Sequence, residues 1–130
     1  MANPTRISDA EWEVMEVLWE ESPLTSSKII KRIQPYKDWN SKTIHTLISR
    51  LAHKNIVGVD KTTPNKYLYY PLISKEKCRL QETENFLQKV YDGSLSMLVA
   101  NFVEENKLSS EEIERLKRLL DRQNEKQGGS

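Results

Sequence analysis

A set of polar and basic side chains recurs along residues 40–54 with a spacing that suits the recognition of a nucleic acid. Apolar residues stand at positions 44, 47, 48 and 51, which is the pattern of a helix with one buried face. The opposite face of such a helix carries Lys42, Thr46, Ser49, Arg50 and His53. This outer face offers hydrogen-bond donors and two full cations but no carboxylate. A helix of this kind is suited to lie in the major groove of duplex DNA, where base edges can be read.

Two further helices must position this candidate reading helix. We predict helices over residues 8–21, 25–34 and 40–54, because each begins with a polar residue set between apolar residues five positions apart. Pro23 stops the first helix and Pro35 ends the second. The carboxylates of the first helix are expected on a solvent-exposed face. The three segments together predict a helix-turn-helix whose third helix reads the DNA.

The hydrophobic period changes after residue 54. Residues 56–59 and 67–72 are rich in β-branched and aromatic side chains, and a cluster of turn-forming residues occupies 61–66. These segments predict a β-hairpin, which makes the N-terminal part a winged helix-turn-helix with Lys61 and Lys66 at the tip of the wing.

The predicted DNA contacts are divided by their place along the chain. Residues near the start of the third helix should meet bases and phosphates, because contacts concentrate at that end, whereas Arg50 and Lys54 should meet phosphate. The full predicted set is Lys42, Thr43, His45, Thr46, Arg50, Lys54, Lys61 and Lys66.

Basic residues are concentrated in the same part of the chain. Residues 8–21 carry six carboxylates and no cation, whereas residues 25–73 carry nine Lys or Arg against two Asp. Residues 74–130 are nearly balanced, with ten cations against eleven carboxylates. The net charge of +1 therefore conceals a strongly basic segment, and the local field is what attracts a polyanion.

The residues after 73 predict a helical domain with more apolar surface than it can bury alone. Helices are expected over 75–92, 94–105 and 109–124, and the middle one is apolar over most of its circumference, so it should be buried on several sides. Three helices of about 55 residues cannot bury so much surface. Because two-fold operators are read by two-fold proteins, we expect a homodimer. The predicted dimer residues are Leu87, Val90, Tyr91, Leu95, Leu98, Val99, Phe102, Ile113, Leu116 and Leu120.

The predicted fold class is mostly α with a small β-hairpin wing. We predict a winged-helix DNA-binding domain over residues 1–73, a three-helix dimerisation domain over 74–122 and a disordered polar tail over 123–130.

No apolar run approaches the roughly 18 residues of a membrane span, so no direct membrane binding is expected. The start of the chain lacks the apolar core of a signal peptide, and Cys78 is the single cysteine, which predicts a cytoplasmic protein.

The residues give little support for a metal site, a single-strand binding surface or an enzyme active site. A metal site would have to combine His45, His53 and Cys78, which have no ligand spacing, so we expect neither a metal nor another cofactor. Tyr67, Tyr69 and Tyr70 could stack on single-stranded bases, but alternation along a strand is explained more simply by core packing with one exposed ring. The chain has neither a Ser/His/Asp or Cys/His set nor a glycine-rich phosphate loop, so we do not expect an enzyme.

Several motifs in this order resemble the penicillinase and methicillin-resistance repressors (BlaI/MecI type), over roughly residues 7–121. The opening of that family is matched by Ile7–Met15. Its recognition helix is matched by Trp39–Ile44 with Thr46–Ile48 and Arg50–Leu51, and its C-terminal domain by Phe86–Leu87, Val90–Gly93, Leu98–Val103 and Leu108–Ser109.

The resemblance implies a homodimeric repressor with an N-terminal winged helix and a helical dimer domain. It implies operators that are inverted repeats with TACA/TGTA cores. It also implies induction by proteolysis, in which a membrane sensor acylated by a β-lactam leads to cleavage of the repressor at an Asn–Phe bond. Asn101-Phe102 stands at that place in this sequence.

The chain also departs from the family pattern. Ser41 replaces a proline that is frequent there, and His45 stands where Arg or Gln is common, so the preferred operator could differ. Copper-responsive relatives carry a cysteine cluster that Cys78 alone cannot build. Two alternatives remain open from the residues: a small-ligand-sensing winged-helix regulator, which the polar face of residues 75–92 disfavours, and a winged-helix module for protein contacts.

Overall fold

The computed structural model describes residues 6–128, which form two compact units divided between Thr83 and Glu84. The elements follow the order helix, helix, helix, hairpin, and then three further helices, which confirms the predicted fold class. Their bounds are α1 (Asp9–Glu20), α2 (Ser26–Ile33), α3 (Ser41–His53), β1 (Val57–Thr63), β2 (Lys66–Pro71), α4 (Lys75–Tyr91), α5 (Leu95–Glu104) and α6 (Ser110–Gly128).

Polar caps fix where the first three helices begin, as the sequence predicted. The side chains of Ser8, Thr25 and Asn40 each accept a hydrogen bond from a backbone N–H in the first turn of the following helix. At α1 the bond is reciprocated, because the Glu11 carboxylate accepts from the Ser8 backbone N–H. Such caps satisfy amide groups that the helix itself leaves unpaired.

The core of the first unit lies between the three helices and the base of the hairpin. It is made of buried aliphatic side chains from each element, together with Cys78 from the second turn of α4. Because that turn packs into the core, the first unit extends into α4 as far as Thr83, whereas the sequence placed the boundary before this helix.

The hairpin is an antiparallel pair of strands held to the helices by Leu24. Val59 of β1 lies opposite Tyr69 of β2, and the backbone N–H groups of Leu24 and Tyr69 each donate to the other residue's carbonyl, at 3.0 and 2.8 Å. Tyr69 is half-buried against the core, while the rings of Tyr67 and Tyr70 are exposed. Two rings are thus exposed rather than the single one that the alternation predicted.

The second unit contains the end of α4, α5 and α6. Gly93, with φ of +84°, follows α4 in the left-handed conformation that is common for a glycine after the end of a helix. Ser109 and Glu112 form a reciprocal capping box at the start of α6, with bonds of 3.0 and 3.1 Å. No described residue of this unit is as buried as the core of the first, and none of α5 is buried, whereas the sequence predicted burial on several sides.

Helix α6 extends to Gly128, through residues 123–128 that were expected to be an unstructured tail. The segment from Gln123 to Gln127 contains neither Pro nor Gly and is made largely of good helix formers, so the helix continues until the first glycine. The rest of the predicted tail, at 129 and 130, lies outside the described residues. None of the described helices is long and apolar enough to span a membrane.

Candidate nucleic-acid interface

Helix α3 presents one buried and one exposed face, as its periodicity predicted. Ile44, Leu47, Ile48 and Leu51 are no more than 5% exposed. The predicted reading residues Lys42, Thr43, His45, Thr46 and Arg50 are all exposed. Core packing of the first set therefore determines which side chains of the helix are available to a partner.

The first turn of α3 is fixed by local hydrogen bonds. The Asn40 side-chain oxygen accepts from the backbone N–H of Thr43 at 2.8 Å, and the Thr46 hydroxyl donates to the Lys42 carbonyl at 3.0 Å. While the second bond is made, the Thr46 side chain offers an acceptor oxygen and a methyl group. A methyl group suits contact with the C5-methyl of thymine.

Two further residues belong to the same surface. A shallow groove along the outer face of α3 is lined by Lys42, His45, Thr46, Ser49, Arg50, His53 and Lys54. Ser49 and His53 were placed on this face by the helical period but were left out of the predicted DNA contacts. Ser49 and His53 follow His45 by four and eight residues, a spacing that places all three on one face of a helix. This spacing could have added both residues to the predicted DNA contacts.

Ion pairs with carboxylates of α1 and of Glu21, the residue that follows it, occupy some of the basic residues counted in residues 25–73. Arg32 pairs with Glu21 and Lys37 with Glu13 at 3.3 Å, so part of the local excess of positive charge is neutralised. Within residues 6–128, neither Lys42 nor Arg50 pairs with a carboxylate. The outer face of α3 therefore keeps two cations whose charge no ion pair of the described residues neutralises.

The wing carries its two predicted lysines in different settings. Lys61 lies over the ring of Tyr67, with its Nζ 5.2 Å from the ring centroid, while Lys66 is exposed at the start of β2. Asp60 accepts hydrogen bonds from the hydroxyl and the backbone N–H of Thr62, which hold the pKa of this carboxyl below its usual value. The wing tip thus combines two cations with one carboxylate that remains ionised.

Lys54 lies at the end of the groove, but its ammonium group is directed into the protein. Its Nζ donates to Glu11 Oε1 at 2.7 Å and to the Arg6 carbonyl at 3.1 Å. Glu11 is 1% exposed, so the expectation that the α1 carboxylates lie on a solvent face is wrong for this residue. Glu11 precedes the buried Val14, Met15 and Leu18 by three, four and seven residues, a spacing that could have revealed its burial.

The candidate metal ligands do not come together. Cys78 is buried in the core, while His45 and His53 are exposed on α3. No group of three or more His, Cys, Asp or Glu in the described part of the chain has the geometry to hold a metal ion. Burial raises the pKa of the Cys78 thiol, and nearby Glu82 raises it further, so this sulfur is a poor thiolate ligand.

The predicted scissile residues lie in the second unit, within α5. Phe102 is 43% exposed, and the side-chain oxygen of Asn101 accepts a hydrogen bond of 2.9 Å from the Tyr91 hydroxyl of α4. The bond between these two residues lies inside a helix, a conformation that a protease has to unwind locally before it can cut.

The predicted dimer residues are only partly covered within one chain. Val90, Leu95, Val99, Phe102, Leu116 and Leu120 are exposed, with Leu120 at 67%. The half-buried members are Leu87, Tyr91, Leu98 and Ile113. The unit therefore presents a large set of apolar side chains without a partner in the described chain, which is unusual for a protein that acts as a monomer.

The pattern of the penicillinase repressor family matches residues 7–122, which is most of the chain. The chain belongs to the penicillinase repressor family. Membership confirms the resemblance drawn from the sequence, and this is a family of transcriptional repressors rather than of enzymes.

Individual relatives agree with this assignment. The chain is 43% identical over 124 residues to the methicillin resistance regulatory protein MecI of Staphylococcus aureus, an alignment that covers 94% of this chain and 99% of the relative. It is 38% identical over 121 residues to the penicillinase repressor of the same species, with 92% and 95% covered.

Two solved structures are similar in fold to part of the chain. The DNA-binding domain of the repressor BlaI is 35% identical, with a TM-score of 0.51, and the match covers 58% of this chain and 90% of that domain. The monomeric form of Bacillus licheniformis BlaI in complex with the blaP half-operator is 34% identical, with a TM-score of 0.50 and coverage of 58% and 92%.

Proposed function

We propose that this protein is a homodimeric repressor that binds duplex operator DNA through α3 and controls genes of β-lactam resistance or cell-wall stress. The observation that carries the proposal is the outer face of α3, where Lys42 and Arg50 have no carboxylate partner among residues 6–128 and lie beside exposed Thr43, His45 and Thr46. The similarity to a BlaI structure in complex with a half-operator supports it.

In this proposal the residues divide between base and phosphate contacts. Lys42 and Thr43 stand at the start of α3, where the helix dipole and free amide groups favour phosphate and nearby bases. Arg50 meets a phosphate further along the groove, and Lys61 and Lys66 bring the wing to the DNA backbone. Such phosphate contacts set register and affinity, whereas His45 and Thr46 are placed to contribute to sequence preference.

A second copy of the chain covers the apolar side chains of α4, α5 and α6 in the proposed dimer. The exposure of Val90, Leu95 and Leu120 within one chain supports this pairing. Two copies related by a two-fold axis present two α3 helices, which fits an operator built as an inverted repeat with TACA/TGTA cores.

Proteolysis at Asn101-Phe102 is the proposed route of induction, triggered in the cytoplasm by a membrane sensor that responds to β-lactams. A cut between these residues separates the end of α5 and all of α6 from the rest of the chain. The remaining fragment loses much of its apolar dimer surface, so each winged helix binds its half-site without the gain in effective concentration that linkage provides.

The binding test uses fluorescence anisotropy with three labelled duplexes: an inverted TACA/TGTA repeat, a single half-site and a scrambled sequence of equal length. We expect preference for the inverted repeat, and a steep fall of log affinity with log salt, by about 0.9 for each phosphate contact. Sedimentation equilibrium at micromolar concentration should show a dimer. Equal affinity for all three duplexes, or a monomer that does not pair on the inverted repeat, would overturn the proposal.

A further inference from the structure

One carboxylate is buried in the core of the first unit. Glu11 is 1% exposed, and it is the one charged side chain among the buried residues that the structure describes. A buried carboxylate needs donors that replace water. Glu11 Oε1 accepts from the Ser8 backbone N–H at 2.9 Å and from Lys54 Nζ at 2.7 Å, whereas Oε2 is buried without a hydrogen-bond partner among the described residues. Burial raises the pKa of Glu11, but these hydrogen bonds outweigh burial and bring its pKa below the usual value, so the carboxylate form is held.

The partner lysine is the residue that caps the C-terminal end of α3. Its ammonium group makes two hydrogen bonds, to Glu11 and to the Arg6 carbonyl, which are 43 and 48 residues away along the chain. Both acceptors belong to the segment that begins α1. The end of the reading helix is therefore tied by a charged, directional contact to the start of another helix.

We propose that the Glu11–Lys54 pair is a positioning device, which fixes the C-terminal end of α3 against α1 and so sets the angle at which α3 meets operator DNA. Lys54 is then a positioning residue and not a phosphate contact. This inference rests on the proposed function, because it assumes that α3 reads the operator.

Base recognition explains why such a device matters. A side chain discriminates between bases only when its hydrogen bonds reach the base edge within a few tenths of an ångström. Aliphatic packing of Ile44, Leu47 and Leu51 holds α3 to the core, but such packing is non-directional. The pair at the C-terminal end removes the remaining freedom of the helix to pivot over the core.

A direct phosphate contact by Lys54 makes a different prediction from a positioning role. Removing a phosphate contact weakens binding to every duplex alike and lowers the salt slope by about 0.9 for each copy of the chain. A misplaced helix loses affinity mainly for the preferred sequence, because base contacts depend on geometry more strictly than phosphate contacts do, and the salt slope changes little because no cation is removed. Glu11 cannot touch DNA itself, because it is buried, so its replacement separates the two cases.

The experiment compares Glu11→Gln, Lys54→Met and the double variant in the full-length protein, each checked for folding by circular dichroism. We expect each single change to weaken binding to the inverted-repeat duplex by about tenfold, the equivalent of one base contact. Binding to the scrambled duplex and the salt slope should not change. The double variant should lose no more than either single one, because both changes break the same contact.

A second ion pair of α1 provides the matched control. Lys75 Nζ lies 2.9 Å from Glu16 Oε2, which ties α1 to the start of α4 without involving α3. Glu16→Gln and Lys75→Met should leave both affinities at the wild-type value. Lys54→Arg keeps the charge and the donors on a larger, planar group, so it should bind the inverted repeat more tightly than Lys54→Met does.

The inference is overturned if Glu11→Gln binds the inverted repeat as tightly as wild type, or if Lys54→Met lowers the salt slope. Should Lys54→Met not fold, Glu11→Gln decides alone, since the amide keeps the size of the side chain but removes the negative charge that pairs with Lys54. Failure of the proposed function gives a separate result, because the wild-type protein would then show no preference for the inverted repeat over the scrambled duplex.

Discussion

Reversal of the charge at Arg50 is the sharpest test of how this protein meets DNA. Arg50 lies on the exposed face of α3 and pairs with no carboxylate in the described part of the chain, so Arg50→Glu should leave folding and dimerisation intact. In a dimer the change removes two cations from the DNA surface and adds two anions.

The expected loss follows from the number of contacts. A hydrogen bond to a charged group contributes about 1.5–3 kcal/mol, so two of them contribute roughly 3–6 kcal/mol. That corresponds to a loss of affinity of roughly 10²- to 10⁴-fold, which abolishes binding at ordinary concentrations. The salt slope should fall by about 1.8, because two phosphate contacts are gone.

Fluorescence anisotropy over a series of salt concentrations measures both quantities, and sedimentation equilibrium verifies the dimer. Lys107→Glu is the matched control, since it changes the charge by the same amount at an exposed residue between α5 and α6. The control should bind with close to wild-type affinity. Wild-type affinity in Arg50→Glu itself would show that α3 is not the reading element.

Three further outcomes can be measured without an operator. Leu51 is fully buried, so Leu51→Ala should lower the free energy of unfolding by about 2–5 kcal/mol in urea denaturation, whereas a change below 1 kcal/mol would mean that α3 is not anchored here. Leu120 is 67% exposed in one chain, so Leu120→Glu should shift the protein to monomer in sedimentation while circular dichroism stays the same; an unchanged dimer would place the interface elsewhere. The pKa of Glu11 lies below its ordinary value of 4.5, so its contribution to stability is present above that pH and is lost as pH falls through the lowered pKa. Thermal unfolding of Glu11→Gln should accordingly depend less on pH below about 4.5 than that of wild type, and identical pH profiles would contradict the buried pair.

Local interactions explain why the N-terminal architecture could be predicted from the sequence. The cap at Asn40 and the spacing of Ile44, Leu47 and Leu51 each act within about two helical turns, so they are readable from neighbouring residues. The hairpin was predictable for the same reason, since its turn and its alternation are local. The identity of the reading face followed directly, because core packing leaves only one side of α3 exposed.

Contacts between distant residues explain what the sequence could not show. Lys54 was predicted to meet phosphate, but its ammonium pairs with Glu11, and nothing within four residues of Lys54 indicates this. The ion pairs of Arg32 with Glu21 and of Lys37 with Glu13 likewise depend on how helices pack. In the second unit, α5 was expected to be buried on several sides, because its composition does not reveal whether the covering surface belongs to the same chain.

The two units differ in how far their apolar side chains are buried within one chain, and this difference has a consequence for gene dosage. The winged helix has its own core, whereas Leu95, Phe102 and Leu120 depend on association for cover in the proposed dimer. At chain concentrations below the dissociation constant, the number of assembled pairs grows with the square of the number of chains, so halving expression lowers it by about fourfold. A cell that carries such a repressor can thus change the transcription of its target steeply by a modest change in how much of the protein it makes.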